Sequence, residues 1–234
     1  MPRPFPPAYA NWERLVPAMR SLAPADLASE VTSSDPARRM AALAVVDIAT
    51  TSPGALLEWV RTLPDVEANT IAGAIQVQVE ASDCRELLRW AGIARVGYEQ
   101  RGLATYLVLL FAALEALDRA ACHDADDVWA QTAGWVCDRA LGMLERGERE
   151  AFDDLSLFVF ENHLDRAPLF AAFKALLAKR RELALRVSAN PGLYLSGLPD
   201  TSQREMLDAA EKAGGIPLTE AWKLLHGVTV KRDE

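Results

Sequence analysis

LATYLVLLFAALEAL, residues 103–117, decides the fold. From Tyr106 to Leu114 nine apolar residues follow one another, and in all fifteen only Thr105 and Glu115 are plainly polar. A run of this length, rich in Leu and Ala and without Pro or Gly, is too long for an ordinary strand. It predicts a helix buried on nearly every side. A bilayer crossing needs about 20 apolar residues, and Asp118 and Arg119 follow at once. The expectation is therefore the central helix of a soluble helical protein, with other helices packed round it.

Working outward, Gly102 should end the preceding helix and turn the chain into the central one. That helix opens at a capping box, Asp83-x-x-Glu86, and carries Leu87, Trp90, Ala91, Ala94 and Tyr98 on one stripe. Gly92 and Gly97 in it allow close helix approach. Before it, Asp65 and Glu67 open a helix that contains IQVQVE at 75–80, whose strict alternation is strand periodicity. No convincing partner strand lies nearby, so helix is preferred. Asp35-Pro36 reads as N-cap and first helical residue of a helix over 36–50, followed by another over 54–63. A first helix is expected from Ala8, carrying Trp12, Leu15, Val16 and Met19, with a short one at 25–31. Residues 1–8 hold four prolines and read as an extended arm.

Downstream, 125–146 shows helical spacing in Trp129, Ala133, Val136, Cys137, Ala140, Leu141 and Leu144, and Gly147 ends it. A helix over 149–164 and another opening near Pro168 follow. The latter carries Lys179, Arg180, Arg181 and Arg186 in its last turns, where cations are favourable. SANPGLYLSGLPD, 188–200, reads as a linker or long loop. Ser202-x-x-Glu205 then caps a helix to about 213, Pro217 opens a last short helix, and VTVKRDE is a polar tail. The fold class is all-α, a multi-helix bundle or irregular HEAT/TPR-like array of about ten helices. The expected parts are a main domain over 9–188, a loop or linker at 189–201 and a small C-terminal hairpin and tail at 202–234.

At 234 residues the chain can bury a full core, and half of it is hydrophobic with a quarter charged. A net charge of −8 disfavours general nucleic-acid or anionic-membrane binding. From Glu115 to Asp165 thirteen acids face four Arg, a net of −9, whereas from Arg166 to Arg186 six bases face Glu182, a net of +5. This asymmetry fits intramolecular complementarity, a docking surface or two solvated faces. Cys84, Cys122 and Cys137 are odd in number and lack metal-like spacing, so reduced thiols are the expectation. The first fifteen residues contain Arg3 but no apolar signal-peptide core. A cytoplasmic location is expected.

Several stretches resemble known families. Trp90, Ile93-Ala94, Gly102 and Phe111 are similar to the tryptophan, Leu-Gly, glycine and aromatic positions of a tetratricopeptide repeat, but no 34-residue period continues. LDRA at 117–120 returns at 164–167, 47 residues later, as a HEAT-like hairpin pair would; no third copy exists. Residues 126–177 resemble the C-terminal half of the helical chaperones that mature redox enzymes, through Gly147-Glu148, His163-Leu164, Pro168 and Phe170, without that family's N-terminal signature. Asp124-x-Asp126-Asp127 resembles the aspartate motif of protonation-initiated terpene cyclases, which implies protonation of an alkene. Asp153-Asp154-Leu155 with Glu161 resembles the second metal motif of ionisation-type terpene synthases, which implies Mg²⁺ on a diphosphate; Leu157 replaces its hydroxyl residue. Residues 208–227 resemble a helix-turn-helix, but the second helix offers only Lys223 to a duplex and sets Glu220 against it.

Those resemblances give Asp124, Asp126, Asp127, Asp153, Asp154, Glu161 and His163 as the candidate metal or acid–base residues. The simpler expectation is an N-cap and acidic first turn for 124–127, and an interhelical or surface position for His163. No phosphate-binding Gly loop, nucleophile-elbow serine or C-x-x-C motif is present, and no cofactor is expected. The functional expectation is a non-catalytic interaction protein (an adaptor, chaperone-like factor or inhibitor) whose partner is another protein. Nucleic acid and membrane are not expected partners. Trp12, Trp129 and Trp222, with Lys179, Arg180 and Arg181, are the candidate contact residues; Trp90 and Trp135 read as core. The rival expectation is a small helical enzyme or metal binder using the acids at 124–127 and 153–154.

Overall fold

A computed structural model describes residues 6–227, the side chain of Leu157 excepted. Residues 1–5 of the Pro-rich arm and the tail at 228–234 lie outside it. The described residues form fourteen α-helices and no strand. None of these helices is long and apolar enough to cross a membrane. The chain separates into two compact units, one ending at Ala125 and the other beginning at Asp126.

The first unit holds α1 (Val16–Arg20), α2 (Pro24–Val31), α3 (Pro36–Leu43), α4 (Pro53–Thr62), α5 (Asp65–Val79), α6 (Cys84–Arg101) and α7 (Ala104–Arg119), preceded by two short 3-10 turns. The Leu-rich stretch is α7, and from Thr105 to Asp118 none of its residues is exposed. It packs on α6 and α5. Burying a Leu or Phe side chain fully contributes roughly 1.5–3 kcal/mol, so Leu109, Leu110, Phe111, Leu114 and Leu117 anchor this unit. Tyr106 lies flat against Gly97 of α6, where an added Cβ would stand 2.4 Å from the ring. Its hydroxyl donates to the Ala68 carbonyl of α5 at 2.8 Å. The capping box at Asp83 and Glu86 is formed in both directions, and Gly102 closes α6 with φ +67°.

IQVQVE forms the end of α5, with Glu80 as its C-cap. The helix buries Glu67, Ala68, Ile71, Ala72, Ile75 and Val79, a helical spacing, and leaves Val77 at 77% exposure. Two expected helices are shorter than their apolar patterns. The one at 36–50 stops at Leu43, because Asp47 takes over the backbone: its side chain accepts from Ala49 N, while Thr51 Oγ1 donates to its carbonyl. The one from Ala8 is broken into pieces by Asn11 in the left-handed region, φ 65°, and by Pro17.

The second unit holds α8 (Ala125–Arg146), which begins at the division, then α9 (Arg149–His163), α10 (Ala167–Lys179), α11 (Arg181–Ala189), α12 (Pro191–Leu195), α13 (Asp200–Lys212) and α14 (Leu218–His226). Phe160 and Phe173 meet with ring centroids 4.1 Å apart, and Tyr194 stacks beyond at 6.3 Å from Phe173. The 188–200 stretch is not an open loop. It carries α12 and buries Pro191, Tyr194, Leu195 and Leu198. Nor does Ser202 cap α13, which starts at Asp200 behind Pro199; Ser202 sits inside its first turn. Gly215 comes so close to α11 that a Cβ there would meet Ser188 Oγ at 2.6 Å. Ser188 Oγ in turn accepts from Ile216 N, fastening the α13–α14 turn.

Candidate functional site

The candidate acids do not converge. Asp124 belongs to the first unit, Asp126 and Asp127 to the second, and all three are exposed. Asp126 and Asp127 occupy the first turn of α8, where negative charge is favourable. Asp153 is engaged by Arg186 through two hydrogen bonds, and Asp154 is exposed. Among the described residues no group of three or more His, Cys, Asp or Glu is placed to hold a metal ion. Glu161 and Asp165 line a cleft beside Tyr194, but at about 160 Å³ it is below the usual range for a small-molecule site. His163 stands between the Trp129 and Phe158 rings, with centroids 6.5 and 6.2 Å away.

The charge asymmetry is met within the second unit. Glu145 pairs with Arg180, Arg149 with Glu182 and Asp153 with Arg186, so the end of α8 and the start of α9 are laced to α11. Arg180 is thereby occupied, and the Arg181 side chain lies against Gly214; Lys179 is exposed. Exposed pairs of this kind are worth little energetically, so their role is alignment. Trp129 is a correction to the contact residues: it is 3% exposed, with the Arg166 guanidinium 5.2 Å from its ring centre. Trp135 is half-buried rather than core, as are Trp12 and Trp222. Trp222 is held by Arg204 at 4.8 Å and His226 at 4.3 Å.

The thiols are a second correction. Cys84 and Cys122 form a disulfide, and only Cys137 is free. A spacing of 38 residues gave no hint of it, because the pairing needs α6 and α7 folded back as a hairpin. Burial pushes the Cys137 thiol up to about 12. With the bond present, the thiol argument for a reducing location falls.

One polar cluster is centred on a fully buried carboxylate. Glu67 accepts from Tyr9 Oη at 2.7 Å and from Arg39 Nε at 2.9 Å, while Arg39 Nη1 donates to the Ser33 carbonyl. A buried carboxylate persists only when paired and hydrogen-bonded. Burial first, then the hydrogen bond to Glu67, raises the Tyr9 phenol to about 12. The cluster ties the N-terminal segment to α3 and α5, and is structural.

An open groove of about 780 Å³ runs between α4 and α6 in the first unit. Its floor is apolar, made by Leu57 from α4 and by Leu88, Gly92 and Val96 at successive turns of α6. Above Gly92 nothing lies within 4 Å of a built Cβ. Two arginines of α6 hold α4 at both ends. Arg89 donates to the Ala49 and Thr51 carbonyls before α4. Arg101 donates to the Val60 and Leu63 carbonyls at its end and to Asp65 at 3.1 Å. The groove is therefore preformed. Arg85, Glu86 and Arg89 line it; among the described residues neither arginine closes an ion pair, and the Glu86 carboxylate acts on Arg89 only through its charge. Arg89 Nε is buried without a hydrogen-bond partner, and burial pulls its pKa down.

A second open groove, about 580 Å³, lies between α10 and α13, with Ala171, Ala175 and Ala178 along one wall. Its cations are neutralised at home, Lys174 by Glu205 and Lys212 by Asp208, each at 2.6 Å. None of the contact residues singled out in the sequence lines the α4–α6 groove. The signal was nevertheless there: Leu88, Gly92 and Val96 recur at i, i+4, i+8, giving α6 a second face that the Leu87–Trp90 stripe does not use. Compared with known proteins, the chain matches no family, no curated sequence and no solved structure.

Proposed function

We propose that this is a non-catalytic protein–protein interaction protein, and that the α4–α6 groove of its first unit receives a helix of another protein. The observation that carries the reading is a preformed apolar trough, with α4 clamped at both ends by Arg89 and Arg101 and with Arg85, Glu86 and Arg89 on its rim. A trough of this kind suits the apolar face of an amphipathic helix. Two arginines against Glu86 leave the rim net positive, which favours acidic residues flanking that face, since charge complementarity sets orientation and choice of partner. The α10–α13 groove lacks that bias, because its own Glu205 and Asp208 already answer its lysines.

The test uses Gly92→Arg. The space over Gly92 is empty, so the new side chain enters the groove without disturbing α6. Val77→Arg, on an exposed site of α5, is the control. A protein captured from the native host in stoichiometric amount by the wild type and the control, and lost with Gly92→Arg, supports the reading. Charge reversal at Arg85→Glu should weaken capture and be compensated by a basic substitution in the partner helix. Capture that survives Gly92→Arg unchanged refutes the groove.

A further inference from the structure

We propose that Cys84–Cys122 is a thiol–disulfide exchange site, opened by a low-molecular-weight thiol at the Cys84 sulfur. The inference rests on the bond alone and stands whether or not the groove binds a partner. The bond joins the first residue of α6 to the turn beyond α7, with Cα atoms 5.8 Å apart. Its two ends differ in access: Cys84 is exposed, whereas Cys122 is buried at 8%. Exchange proceeds at whichever sulfur an incoming thiolate can reach. Attack therefore falls on Cys84.

In the first step the thiolate RS⁻ bonds to Cys84 Sγ as the Sγ–Sγ bond breaks, and Cys122 leaves as a thiolate that takes a proton from water. In the second, another thiolate attacks the outer sulfur of the mixed disulfide, RSSR departs, and Cys84 is released as a thiolate. Two thiols supply the two electrons, and RSSR closes the bond again by the reverse path.

What the bond restrains is the turn at 118–125. Cys122 N donates to Leu117 O and Ala121 N to Asp118 O, the two hydrogen bonds of a Schellman turn, with Ala121 at φ 50°. The same pattern closes α8 and α13, and there the left-handed residue is Gly147 and Gly214. Alanine disfavours that conformation. Opening the disulfide thus frees a turn that its own sequence holds poorly, next to the exposed Arg119.

The test equilibrates the native full-length chain in glutathione buffers of rising thiol fraction, quenches with acid and maps the peptides by mass spectrometry. The expected result is loss of the crosslinked peptide pair, a glutathionyl adduct on Cys84 and none on Cys122, with the helical circular dichroism unchanged. Trypsin cleavage after Arg119 should rise in step with opening, and buried Cys137 should stay unmodified. In the single variants, the Cys84 thiolate of Cys122→Ser should attack the glutathione disulfide of the buffer and keep one glutathionyl group as the other leaves as thiolate, and Cys84→Ser should take none. Three results would overturn the proposal: a bond that yields only when helix signal is lost, an adduct on Cys122, or a native chain that never forms the bond. The wild-type titration decides the matter even if a variant fails to fold.

Discussion

Gly97→Ala should destabilise the first unit although it replaces the poorer helix former by the better. The built Cβ lies 2.4, 2.5 and 2.7 Å from Cδ1, Cε1 and Cγ of Tyr106. Ordinary carbon contacts begin near 3.5 Å, so the ring must retreat by about 1 Å. It has nowhere to go. Tyr106 is completely buried, and its hydroxyl is fixed on Ala68 O at 2.8 Å. Overpacking of this kind costs about 1–3 kcal/mol, and a strained or lost buried hydrogen bond adds roughly 1–2 kcal/mol. Against that, Ala gains about 1 kcal/mol in helix propensity. The net expectation is a loss of about 1–4 kcal/mol.

Gly92→Ala, on the same helix, meets nothing within 4 Å and should instead gain about 0.5–1 kcal/mol. Urea unfolding followed by circular dichroism compares the two directly. In a Tyr106→Leu background the Gly97→Ala penalty should vanish, a coupling that a double-mutant cycle reads. If Gly97→Ala is as stable as the wild type, or if the two sites do not couple, α6 does not pack on α7 through this contact.

Three further outcomes follow from particular contacts. Reducing Cys84–Cys122, or making Cys122→Ser, should lower the stability of the first unit by up to about 4 kcal/mol, the chain-entropy value for a 38-residue separation; chemical denaturation with and without reductant measures it. Ala121→Gly should raise stability by about 0.5–1 kcal/mol, the left-handed penalty of Ala less the entropy cost of Gly; a fall would show that the turn is not in this conformation. The Tyr9 phenol is raised from 10.0 to about 12 in the fold, so its contribution is complete below pH 10 and is lost as pH climbs through about 12. Tyr9→Phe should therefore be less stable by about 1–3 kcal/mol at neutral pH and lose less than the wild type between pH 10 and 12, as thermal melts across that range would record.

The helical architecture was legible wherever burial and local chemistry agreed. The 103–117 run, the Asp83–Glu86 box and the stop at Gly102 all stand where the pattern put them. It was less legible where side chains compete with the helix for backbone groups. Asp47 ends α3 early by such a local hydrogen bond, in a segment whose apolar content alone would continue it. The 188–200 stretch reads as a loop because Gly and Pro mark a turn without saying whether it is buried; Tyr194 and Leu195 are. Of the candidate site, the carboxylates were visible as letters, but their separation into solvent and ion pairs is a three-dimensional fact. The disulfide was out of reach for the same reason, since nothing local to Cys84 or Cys122 encodes the α6–α7 hairpin.

The dry helix of the first unit is α7, but α6 is the one on which most of that unit's specific chemistry meets. On one side Gly97 admits the Tyr106 ring and lets α7 approach. On another, Arg89 and Arg101 collect carbonyls from both ends of α4. At its start Cys84 is bonded to the turn that follows α7. Each of these is a directional contact made by a residue type that an apolar pattern does not distinguish. A helix committed on so many sides cannot easily reorient, so the face left over, Leu88, Gly92 and Val96, is presented in a fixed geometry. Rigidity of the wall lowers the ordering cost of binding. This fixed geometry, more than its volume, is why we propose the α4–α6 trough as the docking site rather than the alanine-lined one in the second unit.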